Sequence, residues 1–190
     1  MTRPAPKRSA GAKAGGRAAA KARSLAKPKP KSKSQPNSKP GAKTRTVAVP
    51  LHLQLLDRGR PRTKVAFVRE VVRAVLAFGE RPEMPVSLLL TDDAEIGVLH
   101  DQHLGDPSAT DVMSFELDGE AEIVVSVETA RRVAAERGHE ARAEIALYIV
   151  HGLLHTLGYD DVRVRDRHRM RSAEQVVLQR LGLRVHAVDA

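Results

Sequence analysis

Two histidines four residues apart, His151 and His155, are the side chains in this sequence whose type and spacing best suit metal chemistry. On a helix such a pair lies one turn apart on the same face. Gly158 is placed to end that helix in the left-handed conformation, after which the chain would turn back and bring residues 159–161, Tyr-Asp-Asp, over the imidazoles. Two imidazoles and one carboxylate form a three-ligand zinc site with a fourth position open to water.

The same pair is also compatible with ordinary histidines hydrogen-bonded within a core, and the spacing alone does not separate the two interpretations. The chain has no cysteine, so a metal ion would be held by His, Asp and Glu side chains alone. Gly152 argues against one well-known chemistry, because HExxH metallopeptidases carry their general-base glutamate at that position. The sequence therefore disfavours ordinary metallopeptidase chemistry at this pair.

The elements that must position this cluster follow from the spacing of the apolar residues. Around the histidines, Leu147, Val150, Leu154 and Leu157 form the apolar face of a buried helix. Elsewhere, alternation and short apolar runs predict strands, and three- to four-residue spacing predicts helices. The predicted strands are 47–55, 86–90, 112–117 and 123–127, with an Asp-Gly turn between the last two, and the predicted helices are 65–79, 92–103, 128–137, 140–157 and 165–181.

Four strands and about five helices without a repeating β-α-β rhythm predict an α+β fold over residues 46–185. We expect one mixed four-stranded sheet with the helices packed on it. The last helix is expected to turn Met170, Val177 and Leu181 inward. The second helix is expected to carry Ile96 and His103, with Asp92 or Asp93 as its cap.

Residues 1–45 differ from the rest of the chain, because they hold 14 Lys and Arg and no Asp or Glu. The remaining residues have 18 basic against 23 acidic side chains, a balance of −5, so the overall charge of +9 belongs to this tail. The tail has too few large apolar residues to fold and is predicted to be disordered. Such a polycation either collects on RNA by releasing counterions or is a solvated extension.

No apolar run near the N-terminus suits a secretion signal or a membrane span, which predicts a cytoplasmic protein without membrane attachment. An organellar transit peptide stays open, because the tail is free of acidic residues. Tryptophan is absent and aromatic residues make up only 3% of the chain, so stacking platforms for sequence-specific RNA recognition are not expected. RNA handling would then depend on charge and shape.

Two motifs carry a resemblance to a known family. Residues 151–160 read His-Gly-Leu-Leu-His-Thr-Leu-Gly-Tyr-Asp and match a His-Gly-x-x-His-x-x-Gly-Tyr-Asp-His motif up to its last position. Residues 110–115 read Thr-Asp-Val-Met-Ser-Phe and match a Thr-Asp-Val-Leu-Ser-Phe motif except at Met113. With further similarity from about residue 47 to 183, including Met170 and Glu174, the chain resembles the YbeY-type endoribonucleases, rRNA maturation factors of bacteria and organelles.

This resemblance implies a function and a ligand set. It implies a zinc-dependent endoribonuclease specific for single-stranded RNA, acting near the 3′ end of 16S rRNA in ribosome biogenesis, with rRNA and the ribosomal subunit as partners and no DNA specificity. In the family three histidines hold one zinc ion. The corresponding residues here are His151, His155 and Asp161, which replaces the last histidine and makes the ligand set more anionic. No catalytic side chain is assigned, and the oligomeric state stays open.

A second departure concerns an arginine that the family carries shortly before the Thr-Asp-Val motif. Leu104 occupies that position here and cannot bind phosphate, which predicts slow cleavage that an arginine at position 104 would accelerate. Arg163 or Arg165, beside the predicted metal loop, is the alternative source of this contact. A ribosome-assembly or RNA-binding factor with little catalysis is therefore the second functional hypothesis, and a metallopeptidase is the third.

Other polar residues near the motifs have weaker assignments. His168 is the alternative third ligand but is predicted to be an exposed helix residue. Asp160 is expected to orient a histidine or to cap the turn. Asp111 and Ser114 are assigned structural roles, although both could line the cleft, and no spacing supports a site role for the histidines at positions 100 and 103.

Overall fold

The computed structural model describes residues 51–186 and shows an α+β domain in this range, as predicted. The basic tail lies outside the described residues, so its disorder and the domain boundaries stay predictions. In chain order the elements are β1 (Leu53–Asp57), α1 (Val65–Phe78), β2 (Val86–Thr91), α2 (Asp93–Leu104), β3 (Val112–Leu117), β4 (Glu120–Ser126), α3 (Val127–Arg137), α4 (Ala141–Thr156) and α5 (Val164–Arg180).

The sheet is mixed, with the strand order β1-β2-β4-β3. The first three strands in this order are parallel, and β3 pairs antiparallel with β4 at the edge. The predicted turn joins these two strands: Asp118 and Gly119 both have positive φ, 52° and 83°, as a two-residue type I′ hairpin turn requires. In the range 51–186, one mixed four-stranded sheet and five helices confirm the predicted architecture.

α4 crosses β3 and β4 and also packs against α1, α3 and α5, so it runs through the core. Its interior face consists of aliphatic residues such as Ile149 and Leu153, both fully buried. The helix approaches the sheet most closely at Gly152, where a Cβ atom would lie 3.0 Å from Val112 Cγ2 and 3.1 Å from Ile123 Cγ2. A larger residue at 152 would push α4 off the sheet, so glycine sets the helix–sheet distance.

The start of α4 is fixed by a buried charge. The Glu144 carboxylate is completely buried, and it accepts hydrogen bonds from Arg137 Nη1 at 3.2 Å and from His139 Nε2 at 2.7 Å. Removing one partner from such a buried pair typically costs ~3–5 kcal/mol, because the remaining charge is left without compensation. Glu144 therefore ties the end of α3 to the first turn of α4.

The structure differs from the predicted elements mainly at their ends. β4 begins three residues earlier than predicted, at Glu120, because pairing with β3 continues up to the turn. Val127 opens α3 instead of closing β4, since the Ser126 hydroxyl accepts the Thr129 N–H at 3.1 Å and caps the helix. These changes leave the strand and helix assignments intact.

One predicted inward position is also different. On α5, Met170 and Val177 are buried as expected, whereas Leu181 lies just past the helix and is half-buried. On α2, Ile96 is buried, but His103 is exposed and its ring lies against Phe115, with 5.4 Å between ring centroids. Within residues 51–186, no helix combines the length and the apolar character that crossing a membrane requires.

Candidate metal centre

The second half of α4 has one partly exposed stripe. Leu147, His151 and His155 follow one another at four-residue spacing and are half-buried, while the residues between them on the other faces are buried. The burial of these neighbours follows from the aliphatic sequence, since each packs into the core or onto the sheet. The two imidazoles therefore stand on the one side of the helix that solvent reaches.

α4 ends in the way the glycine predicted. Gly158 has φ of +86°, its N–H donates to the His155 carbonyl at 3.0 Å, and the Tyr159 N–H donates to the Leu154 carbonyl at 3.0 Å. This pair of bonds is a Schellman motif, which reverses the chain directly after the helix. The reversal carries the following residues back over the histidines.

The turn after the helix is held by its own side chains. Asp160 Oδ1 accepts the backbone N–H groups of Asp161 at 2.8 Å and Val162 at 3.1 Å, so Asp160 caps the turn, one of the two roles expected of it. Arg167 of α5 donates from Nε to the Asp161 carbonyl at 3.1 Å. These contacts direct the Asp161 side chain toward the imidazoles.

The structure brings His151, His155 and Asp161 together. The Nε2 atoms of the two histidines are 3.0 Å apart. Asp161 Oδ2 lies 3.9 Å from His151 Nε2, and Asp161 Oδ1 lies 4.0 Å from His155 Nε2. All three ligand atoms lie within 4.8 Å of one another. A tetrahedral zinc ion with bonds of ~2.0–2.1 Å separates its ligand atoms by roughly 3.3 Å, which the observed distances bracket. The donor set thus fits a zinc-sized ion after small side-chain movements.

The opposite ring nitrogens show which tautomer each histidine adopts. His151 Nδ1 lies 2.6 Å from Glu174 Oε1, and His155 Nδ1 lies 3.1 Å from the Tyr159 carbonyl. Both partners are acceptors, so each Nδ1 carries a proton and donates it. The two Nε2 lone pairs then face each other and require a cation or a shared proton between them. This arrangement is typical of histidines that bind metal through Nε2.

The charges around the pair separate the two pKa values. Burial disfavours a charge on His151, but the Glu174 hydrogen bond and the charges of Glu174, Asp111 and Asp161 outweigh it and raise its pKa. Burial and the neighbouring His151 lower the pKa of His155. The pair is therefore suited to holding one positive charge between the two Nε2 atoms. A metal ion that binds there would have to displace the proton that otherwise supplies this charge.

The other polar residues considered in the sequence do not join this cluster. His168 is exposed on α5, and His100 is buried with Nδ1 2.9 Å from the Ser108 carbonyl. Asp111 Oδ1 accepts the backbone N–H of the next residue at 3.0 Å, which supports its structural role, and its charge also acts on His151. Ser114 lies within β3, opposite Ile123.

Leu104 is the last residue of α2, and its side chain is partly exposed. The two arginines considered as substitutes lie at the start of α5. Arg163 is the residue before the helix, and the Arg165 side chain is 94% exposed, with Nε 3.9 Å from Asp166 Oδ1. None of these contacts links Arg163 or Arg165 to the metal cluster.

The role of Glu174 was not predicted from the sequence, although the residue lies within the family resemblance. Its carboxylate is only 14% exposed and meets His151 across the α4–α5 contact. One signal could have revealed it: the buried residues Met170, Ala173 and Val177 recur at helical spacing, and Glu174 lies on the same stripe. A single carboxylate on an apolar stripe needs a partner in the protein.

Gly152 faces the sheet and not the candidate metal centre, as its close contacts with Val112 and Ile123 show. A glutamate at this position would point into the core and could not reach the imidazoles. The geometry therefore also disfavours the peptidase arrangement, in which a glutamate after His151 would act as general base.

The chain is similar to proteins of one family. The family described as Endoribonuclease YbeY matches residues 60–182, which include the whole candidate centre. Endoribonuclease YbeY of Desulforamulus reducens is 40% identical over 130 residues, covering 61% of this chain and 85% of the relative. Endoribonuclease YbeY of Nautilia profundicola is 42% identical over 103 residues, covering 52% and 73%.

The fold has a counterpart among solved structures. The solution structure of TM1509 from Thermotoga maritima matches with a TM-score of 0.52, covering 68% of this chain and 91% of that one. The two sequences are 21% identical, so this similarity supports the fold alone.

Proposed function

The chain belongs to the YbeY family of endoribonucleases, and on that premise we propose that it hydrolyses single-stranded RNA at a zinc site formed by His151, His155 and Asp161. The observation that carries the proposal is the pair of Nε2 atoms 3.0 Å apart, with both Nδ1 atoms hydrogen-bonded to other acceptors and a carboxylate beside the pair. A cation satisfies this arrangement. Zinc suits it because imidazole and carboxylate are both zinc ligands.

The ion would supply Lewis acidity toward a phosphoryl oxygen and a water of lowered pKa near neutral pH. The chain's own residues do the rest. Glu174 and the Tyr159 carbonyl fix the two rings in the tautomer that presents Nε2, and Asp161 adds the third donor from the turn. The carboxylate ligand supplies negative charge, so phosphate binding must depend on cations elsewhere in the site.

The site is accessible to an extended substrate. The three proposed ligand side chains are 20%, 22% and 23% exposed, so a phosphodiester can approach them without opening of the core. RNA is the proposed substrate, in agreement with the name of the relatives. We further propose that the protein acts in the cytoplasm, in maturation of the 16S rRNA 3′ end, with the ribosomal subunit as partner.

One experiment tests the activity and the site together. The purified chain, loaded with zinc, is assayed on a single-stranded RNA and on the same sequence in a duplex, with His155→Ala as the control. We expect one zinc per chain and cleavage of the single strand, and we expect the variant to lose both. An unchanged cleavage rate in the variant would assign the nuclease activity to another site or to a contaminant.

An assembly factor with weak catalysis is the second candidate function. Leu104, at the end of α2, supplies no cation to stabilise charge on phosphate in the transition state. This favours slow turnover of any RNA that binds. Tight, metal-dependent RNA binding by the wild type without measurable cleavage would support this alternative.

A further inference from the structure

The start of α5 carries an unusual density of arginine. From position 163, just before α5, to position 171 in its second turn, every second residue is an arginine: Arg163, Arg165, Arg167, Arg169 and Arg171. Because a helix turns about 100° per residue, alternate residues diverge to the two sides of the buried stripe. The arginines therefore differ in what they face.

Two of these arginines lie on the side of α5 that faces the metal cluster. Arg167 and Arg171 are four residues apart and so share one side of the helix. Glu174, three residues after Arg171, continues that side and contacts His151 at 2.6 Å. The Arg167 guanidinium is fixed near the cluster, because its Nε donates to the Asp161 carbonyl at 3.1 Å.

The remaining donors of these two side chains are available. Both residues are exposed, and within residues 51–186 neither the Nη groups of Arg167 nor the guanidinium of Arg171 has a hydrogen bond or ion pair to a protein group. Arg169, in contrast, lies over the Tyr159 ring at 4.7 Å. Arg165 projects from α5 roughly 200° away from Arg167, and its side chain is 94% exposed.

We propose that Arg167, assisted by Arg171, binds the phosphate of the RNA that lies at the metal cluster. A planar guanidinium with free Nη donors matches two phosphate oxygens, and its anchored Nε holds it in place before substrate arrives. The contact supplies the positive charge that the anionic ligand set and Leu104 do not. This inference rests on the proposed function, because it names the residues that position the substrate of that site.

The test uses the full-length, zinc-loaded protein and four variants. Arg167→Ala removes the guanidinium, Arg167→Lys keeps the charge without the fork, Arg171→Ala leaves the bond to the Asp161 carbonyl intact, and Arg165→Ala is the matched control on another side of α5. Zinc content, affinity for a single-stranded RNA as a function of salt, and the cleavage rate are measured for each.

We expect Arg167→Ala to keep one zinc per chain, because the Asp160 side chain still holds the turn, and to cleave about a hundredfold more slowly, the usual loss for one preorganised donor. For this variant, the slope of log RNA affinity against log salt concentration should become shallower by about 0.7, the value for one phosphate contact on a single strand. Arg167→Lys should restore that slope and only part of the rate. Arg171→Ala should lose about tenfold in rate, a fraction of the effect at the anchored arginine. Arg165→Ala should match the wild type.

Equal rates and salt slopes for Arg167→Ala and Arg165→Ala would overturn the proposal. A loss of zinc in proportion to the loss of rate would also overturn it, since Arg167 would then only anchor the turn that carries Asp161. If the wild type itself fails to cleave RNA, the proposed function fails, and the salt slope of RNA binding alone decides the role of Arg167.

Discussion

Replacing Glu174 tests whether the carboxylate behind His151 is part of the metal centre. Its Oε1 lies 2.6 Å from Nδ1, and the two side chains are 14% and 20% exposed. Glu174→Gln keeps an acceptor oxygen of the same reach but removes the charge. Glu174→Ala removes the acceptor as well and leaves the His151 N–H without its partner. Both variants should bind zinc more weakly, with the alanine more affected.

The size of the effect follows from the contact. A hydrogen bond to a charged group contributes ~1.5–3 kcal/mol, and changing the outer partner of a metal-bound histidine typically costs 10–100-fold in affinity, about 1.4–2.7 kcal/mol. Because the contact between Glu174 and His151 is short and largely shielded from water, we expect about 100-fold for alanine. Glutamine should lose about tenfold, since a neutral acceptor remains.

Zinc affinity is measured by competition with a chromophoric chelator at fixed pH and salt, and folding is checked by circular dichroism. Glu140→Gln is the matched control, because the Glu140 side chain is 70% exposed and its carboxylate pairs with Arg142, away from the metal centre. The stoichiometry should stay at one in every variant. Equal zinc affinity in Glu174→Ala, Glu140→Gln and wild type would refute the inference that Glu174 holds His151 for a metal.

Three further predictions concern other parts of the chain. Asp161→Ala should lower zinc affinity well beyond the ~100-fold limit of outer-partner changes, as chelator competition would show, and an unchanged affinity would remove Asp161 from the ligand set. Deleting residues 1–45, with their 14 basic side chains, should flatten the salt dependence of RNA binding but leave the cleavage position unchanged, whereas a full residual slope would make the tail a bystander. Leu104→Arg should change the cleavage rate little if Arg167 already binds the phosphate, while a gain approaching ~100-fold would show that position 104 lacks the critical contact.

Several features of the site were predictable because their cause is local. Gly158 ends α4 in the left-handed conformation, and Asp92 caps α2 by accepting the Glu95 N–H at 2.8 Å, since both depend on residues within one helical turn. The same holds for the Asp118-Gly119 hairpin turn. The histidine pair could likewise be placed on one helix face from its spacing alone.

The features that sequence analysis missed depend on how distant elements pack. Glu174 reaches His151 across 23 positions of sequence, and this requires the α4–α5 contact that only the folded chain defines. Arg167, two residues beyond Arg165, donates to the Asp161 carbonyl because folding places the turn after α4 beside the start of α5. The start of β4 at Glu120 was not predicted because its inward residue Ala121 is small and stands between two glutamates, so the sequence does not show a strand there.

The division of the proposed ligands between a helix and a turn has a kinetic consequence. His151 and His155 belong to α4, which is embedded in the core, so their backbone positions stay fixed relative to each other while the domain is folded. Asp161 belongs to the turn that Asp160 and Arg167 hold in place, and a turn can open while the core stays intact. Exchange of a bound ion should therefore proceed through opening of this turn. Asp160→Ala should shorten the residence time of the metal while the melting temperature of the metal-free domain stays nearly unchanged.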